Sequence, residues 1–324
     1  MKKILENVHL TPAWCSYAGS IHGVLKGAGW WKDEFWKLYG LTGLAFQFIV
    51  HEDCCPSSVT VYDWVNGHYQ AMDRLGIFTA SDELFHHPQL QTFSFMQRHC
   101  IDKITQSIDQ GKAVLVWAPT PILEFGIIKG YDDTEGLLFV ESVDNQNPDP
   151  LLYDNLGLSE VPIIYCQYLL DHTALDISKA ITNSLHFGLS EWQKEFHIHP
   201  QYACGRKAYD FLMQSMDNQK LNGFGLGYIL AVYQESKQVL YQYLDWIHSS
   251  TKEYSGIEES ALLFQQVAEI FHKMHELWPF NPGMKQQDPP SQSLRDELKV
   301  LLQSAKDREQ RAMKVIEKSL NAGS

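Results

Sequence analysis

Cys15 stands in the run AWCSYAGSIHGVL, and a helix is predicted to begin directly after it, over residues 16–28. Small residues Ser16, Ala18, Gly19 and Ser20 fill its first turns. A thiol at a helix N-terminus feels the positive end of the helix dipole, which lowers its pKa and favours the thiolate. Backbone amides there would also hold an oxyanion. Two later segments join this one: the strand pair around LEFGIIKGYDD, and FVESVDNQNP, which places Asp144 at a strand end before a loop.

Cysteine first, then a group carried on a strand, then an acid on the next strand, is the order found in papain-like enzymes. The run GKAVLVWAPTPILEFGIIKGYDDTEGLLFVESVD resembles the C39-like branch of the papain-like cysteine peptidases, whose base histidine sits in a pattern like H-F-x-V-I-x-G-Y-D. More narrowly, the cysteine helix, the GLTGLAF-type strand and the helical second half resemble the butirosin-biosynthesis protein H family. The likeness covers residues 8–170, and more loosely 173–280. It implies an α+β fold with a C39-like cysteine-peptidase core followed by an all-α region. It also implies thiol-dependent acyl or aminoacyl transfer in secondary metabolism: an acyl group passes from a small-molecule or carrier-protein thioester through the cysteine to an amine, with no cofactor and no metal.

On the positions that match, the resemblance makes Cys15 the nucleophile and Asp144 the orienting acid. The base position falls on Glu124, where the family carries histidine. An imidazole with a pKa near 6.5 both takes and returns a proton near neutrality. A carboxylate with a reference pKa near 4.3 is a weaker base, and it repels a neighbouring thiolate. Three readings stay open. The site is inactive and kept for binding; or a protonated Glu124 acts as an acid; or a histidine from elsewhere completes it. His22 is a poor candidate, since it lies two helical turns from Cys15, about 10 Å by helix rise. His9, six residues before Cys15, stands where papain-like enzymes carry an oxyanion-hole glutamine, so the resemblance gives it that role or that of a substitute base. Trp14 and Trp30 are expected as apolar walls near Cys15. Gly225, in the glycine-rich run GFGLGY, is expected to line the substrate cleft.

The elements needed to position these residues are legible in part. Residues 42–50 read as a strand, and 58–75 and 93–110 as helices, the second stopping at Gly111. Residues 112–118, 123–133 and 136–144 are three short strands, with Asp132, Asp133 and Gly136 bracketing a hairpin, and 161–170 is one more. After residue 172 helical spacing takes over, at 173–187, 202–217, 224–250, 256–277 and 291–320, with no strand among them. Residues 1–172 are therefore expected as an α+β domain and 173–324 as a helical one. Leu294, Leu298, Leu301, Leu302 and Ala305 would let the last helix pack on its own chain or on a second copy.

Composition excludes other classes. Of 324 residues, 44% are hydrophobic and 20% charged, so neither a disordered nor a collagen-like chain is expected. A net charge of −13 disfavours bulk nucleic acid and anionic membranes and suits a cationic, amine-bearing ligand. No run is long and apolar enough to cross a membrane, and Glu6, Asn7 and His9 interrupt any signal-like core, so a cytoplasmic protein with reduced cysteines is expected. HEDCC at 51–55 lacks zinc-finger spacing, because adjacent cysteines point apart in extended chain. His86-His87 reads as a polar turn. The pairs His197 with His199 and His272 with His275 lack a third ligand nearby. GFGLGY is neither a P-loop nor a dinucleotide fingerprint.

Overall fold

The computed structural model describes residues 1–85, 90–145, 147–283 and 287–322. His86 and His87 lie outside the described residues. The protein is mixed α+β, 52% helical, with a mostly antiparallel sheet. In chain order the strands are β1 (Lys2–Ile4), β2 (Ile49–His51), β3 (Ile77–Phe85), β4 (Val114–Trp117), β5 (Phe125–Asp132), β6 (Leu137–Glu141), β7 (Leu151–Leu152), β8 (Ile163–His172) and β9 (Tyr202–Cys204). The helices are α1 (Ser16–Gly27), α2 (Phe35–Leu41), α3 (Trp64–Arg74), α4 (Phe93–Asp109), α5 (Ile177–Gln193), α6 (Arg206–Ser215), α7 (Gly223–Ser250), α8 (Ile257–Leu277) and α9 (Gln292–Ala322). Two compact units result: Met1–Leu38 with His68–Leu175, and Tyr39–Gly67 with Asp176–Ser324.

The first unit is built on a seven-stranded sheet of order β3-β8-β4-β5-β6-β7, with β1 paired to the far end of β5 (Ile4 opposite Gly130). Side chains alternate across a strand. On β4 and β8, Val114, Val116, Ile164, Cys166 and Tyr168 point to one face and close a core with Cys100, Ile104 and Ile108 of α4. Alternate residues serve the other face, where α1 packs: Tyr17 donates to Gln167 Oε1 at 2.9 Å and meets Phe125 edge-on. Covering both faces explains why these strands read as unbroken apolar runs.

Helix α1 is buried from Ser16 to Leu25. Its small residues admit the extended segment 9–13. A Cβ on Gly19 would sit 2.3 Å from the Thr11 carbonyl oxygen, and one on Gly23 would sit 2.2 Å from that of His9. Segment and helix therefore run side by side in opposite senses. Thr11 N–H bonds the Gly19 carbonyl at 3.3 Å, and Thr11 Oγ1 pairs with His22 Nδ1 at 2.7 Å.

The second unit is mostly helical. Its core holds an ion pair: Lys237 Nζ lies 2.7 Å from Glu309 Oε1, with side-chain exposures of 0% and 3%. Tyr209 donates to Glu309 Oε2 at 2.6 Å, so α6, α7 and α9 meet at one carboxylate. Strand β2 pairs with β9, Ile49 opposite Cys204.

Several expectations need correction. Residues 42–50 are not one strand: Gly43 takes φ 78°, a 3-10 turn follows at Leu44–Phe46, and the strand itself is Ile49–His51. The helix expected at 58–75 starts at Trp64. The expected helix 202–217 splits into β9 and α6 at Gly205, whose φ of 55° no helix accepts. A strand thus exists after residue 172, and the nine-residue β3 arises where no element was expected. Residues 39–67, expected in the first domain, group with the helices. Among the described residues, no helix is long and apolar enough to cross a membrane.

Candidate active site

Cys15 is the N-cap of α1, with extended backbone (φ −82°, ψ 93°), and it is half-buried. Its carbonyl accepts the first helical bond, from Gly19 N–H at 3.0 Å. The helix macrodipole therefore acts directly on the residue that carries the thiol. None of the six cysteines is in a disulfide. Cys54, Cys100, Cys166 and Cys204 are buried, which leaves Cys15 and Cys55 partly accessible. Burial pushes the Cys54 and Cys204 thiols up to about 12. A hydrogen bond from the Cys166 thiol to Cys100, together with burial, pushes Cys166 well above the usual thiol range.

Glu124 lies half-buried at the end of the loop joining β4 and β5. The loop begins at Ala118, which takes φ 46°, a costly value for a residue with a Cβ. Ala118 N–H bonds the Glu124 carbonyl at 2.8 Å and so closes the loop. The Glu124 carboxylate reaches the first residue of α1: Ser16 Oγ donates to Oε2 at 2.5 Å. The same hydroxyl accepts from Phe125 N–H at 3.1 Å. Ser16, the residue after Cys15, thus links the start of α1 to Glu124 and to the next residue, Phe125.

The other expected residues are placed elsewhere. Asp144 is exposed in the loop after β6, and its nearest bond is a long one, 3.5 Å from Thr120 Oγ1. The acid at the strand end itself is Glu141, fully buried, which accepts from Leu10 N–H at 2.7 Å and from Lys129 Nζ at 2.6 Å. His9 belongs to that cluster: its Nδ1 lies 3.1 Å from Glu141 Oε1. Because His9 lies alongside Gly23, it sits eight residues down α1 from Cys15, about 12 Å by helix rise. Neither the oxyanion role nor the substitute-base role expected for His9 fits that distance. Trp30 follows the other end of α1 and stacks on His172 at 4.3 Å, so it does not wall the thiol. Trp14 precedes Cys15 and is 38% exposed. Gly225 is in the helical unit, where a Cβ would lie 1.9 Å from the Cys54 carbonyl oxygen; close backbone approach accounts for this glycine.

Behind Ser16, on the sheet side of α1, lies a buried aromatic group. The His68 ring stacks on Tyr17 at 3.4 Å and 7°, and His68 Nδ1 pairs with Tyr165 OH at 2.7 Å. Burial holds the His68 imidazole well below the usual histidine range, so it stays neutral. Burial likewise pushes the Tyr17 hydroxyl well above the usual tyrosine range.

Ser16, Glu141 and Lys129 escaped the sequence reading. A signal existed for the last two: Lys129 in FGIIKGYD and Glu141 in LLFVES interrupt apolar runs on adjacent strands, with opposite charges. Among the described residues, no group of three or more His, Cys, Asp or Glu side chains is placed to hold a metal ion.

Fold and site together define a mixed α+β chain with a partly accessible thiol at a helix N-terminus and a carboxylate tethered to the residue that follows it. The chain matches no protein-family model and no curated protein.

Proposed function

We propose that this chain performs thiol-dependent acyl or aminoacyl transfer at Cys15. The observation that carries the reading is the half-buried thiol at the start of α1, with Glu124 held against the next residue. The resemblance to C39-like papain-like enzymes and to the butirosin-biosynthesis protein H family supports the same chemistry. In that frame α1 is the cysteine helix and β5 is the strand that follows the base position. The six thiols without a disulfide suit a reducing, cytoplasmic setting.

The step is attack of the Cys15 sulfur on a thioester carbonyl. The new carbon–sulfur bond forms as the donor's breaks, and Glu124 relays the thiol proton to the departing donor thiol. An amine then attacks the acyl-cysteine, and Cys15 recovers its proton. The amides at the start of α1 stabilise the oxyanion in both steps. By reference pKa values, moving a proton from a thiol to a carboxylate costs about 6 kcal/mol, against about 3 kcal/mol for an imidazole. Turnover is therefore slow in the native chain, and Glu124→His should speed acylation by roughly tenfold or more.

The test is intact-protein mass spectrometry after incubation with acyl-pantetheine thioesters. An acyl mass on Cys15, absent in Cys15→Ala and faster in Glu124→His, is the expected result. The competing reading, a protein that keeps the cleft for binding, is favoured by the loss of the histidine at residue 124. It wins if neither the native chain nor Glu124→His is acylated.

A further inference from the structure

We propose that Ser16 is the positioning residue of this site: its hydroxyl holds the Glu124 carboxylate at the first turn of α1, so that the charge on Glu124 acts on the Cys15 thiol. The proposal deepens the transfer reading and rests on it only for the use made of the thiol.

A serine hydroxyl has one proton to give. Phe125 N–H can only donate, so at 3.1 Å it uses Ser16 Oγ as acceptor. The Ser16 proton is then directed at Glu124 Oε2, 2.5 Å away, which fixes that oxygen as an acceptor. A carboxylate at its reference pKa is ionised near neutrality, and a charged acceptor strengthens such a bond. Ser16 is 4% exposed, so water cannot readily replace its partners. Glu124 is also held through its backbone by Ala118. Main chain and carboxylate are thus each held by a hydrogen bond.

The consequence concerns Cys15. A fixed anion beside a thiol raises its proton affinity, while the α1 dipole lowers it. Moving the carboxylate away should weaken the opposition to the dipole. Ser16 touches neither substrate nor thiol in this scheme; it acts through Glu124.

The experiment is the pH profile of iodoacetamide labelling at Cys15 in the full chain, read by peptide mass spectrometry, with Cys55 as the partly accessible control and thermal melting to verify folding. Glu124→Gln should lower the labelling midpoint by about half a pH unit to two units. Ser16→Ala should lower it in the same direction, Ser16→Thr should restore the native profile, and Ser16→Ala/Glu124→Gln should add nothing to Glu124→Gln alone. Glu124→Asp, one methylene too short to reach Ser16, should behave like Ser16→Ala and serves where Ser16→Ala fails to fold. An unchanged profile in Ser16→Ala or in Glu124→Asp overturns the proposal. So does a Ser16→Ala shift of equal size with Gln at residue 124. The labelling needs no substrate. Coupled shifts in a chain that is never acylated would defeat the transfer reading and leave Ser16 its role, and acylation without coupling would do the reverse.

Discussion

At the scale of single residues, the site depends on groups whose neighbours decide their charge. His68 is the clearest case. It is fully buried, stacked on Tyr17, and held well below its ordinary value of 6.5 by burial. In the unfolded chain it titrates near that ordinary value. Between the folded and unfolded pKa values the unfolded state binds more protons, so stability rises with pH across that window. The contribution is complete above pH 6.5 and is lost as pH falls toward the folded pKa. The loss can reach about 1.4 kcal/mol per pH unit for one proton. Urea unfolding from pH 7.5 down to pH 5 should therefore show a steeper acid loss in the native chain than in His68→Asn. Equal slopes would mean that His68 is not the neutral group described. The same reasoning explains why the site was only half legible. Cys15 and Glu124 could be picked out because their types stand out in a motif. Ser16 could not, because a serine among small helix residues looks like packing until the loop that carries Glu124 is seen above it. His9 was misjudged because a count of six residues says nothing about direction, and the chain from His9 to Cys15 runs antiparallel to α1.

At the scale of elements, periodicity worked where one requirement dominated. The strands β4, β5, β6 and β8 are apolar because both sheet faces are covered, and α4 ends at Asp109, two residues before Gly111, which takes φ 79°. It failed where two requirements competed. Strand β3 mixes Asp82 and Glu83 with apolar residues, because among the described residues it borders the sheet and pairs with β8 alone. The split between β9 and α6 turns on the backbone of a single glycine. The helical unit adds a feature that no pattern reveals, since Lys237 and Glu309 are 72 residues apart. Burial lowers the Lys237 pKa and Glu309 raises it, with a net lowering. Removing one partner of a buried pair strands the other charge, at a cost of about 3–5 kcal/mol, whereas replacing both with apolar side chains is often close to neutral. Glu309→Gln should therefore lower the urea midpoint strongly, and the double variant Lys237→Met/Glu309→Leu, made in a Tyr209→Phe background so that the hydroxyl bonded to Glu309 is not stranded, should recover most of the loss. A double variant weaker than the single one would show that the pair stabilises the junction of α6, α7 and α9 in its own right.

At the scale of the whole molecule, the chain is not divided where its composition changes. The shift at residue 172 is real in secondary structure, yet residues 39–67 belong to the helical unit. Their packing shows why. Phe48 meets Tyr209, Tyr233 and Phe271 edge-on, at 4.7, 4.6 and 6.0 Å. Both backbone groups of Ile49 bond the Tyr233 hydroxyl at 2.8 Å, and Asn222 N–H bonds the Asp53 carbonyl at 2.9 Å. Strand β2 supplies the only partner that β9 has among the named strands. A fragment of residues 173–324 would lose all of this. Its core would be short of Phe48 and Ile49, burials worth about 1.5–3 kcal/mol each, and the buried Tyr233 hydroxyl would lose both of its bonds to Ile49. Total stability of a domain is about 5–15 kcal/mol, so these losses suffice to abolish cooperative folding. The matching fragment 1–172 would carry residues 48–50 without their cover and should aggregate. Thermal melts followed by circular dichroism, with dye binding to report exposed apolar surface, decide the matter. The fragment 173–324 should melt without a sharp transition, and adding a peptide of residues 39–67 should restore one. A sharp melt of 173–324 alone would show that the helices close their core without the early segment, and that the boundary lies at the compositional change after all.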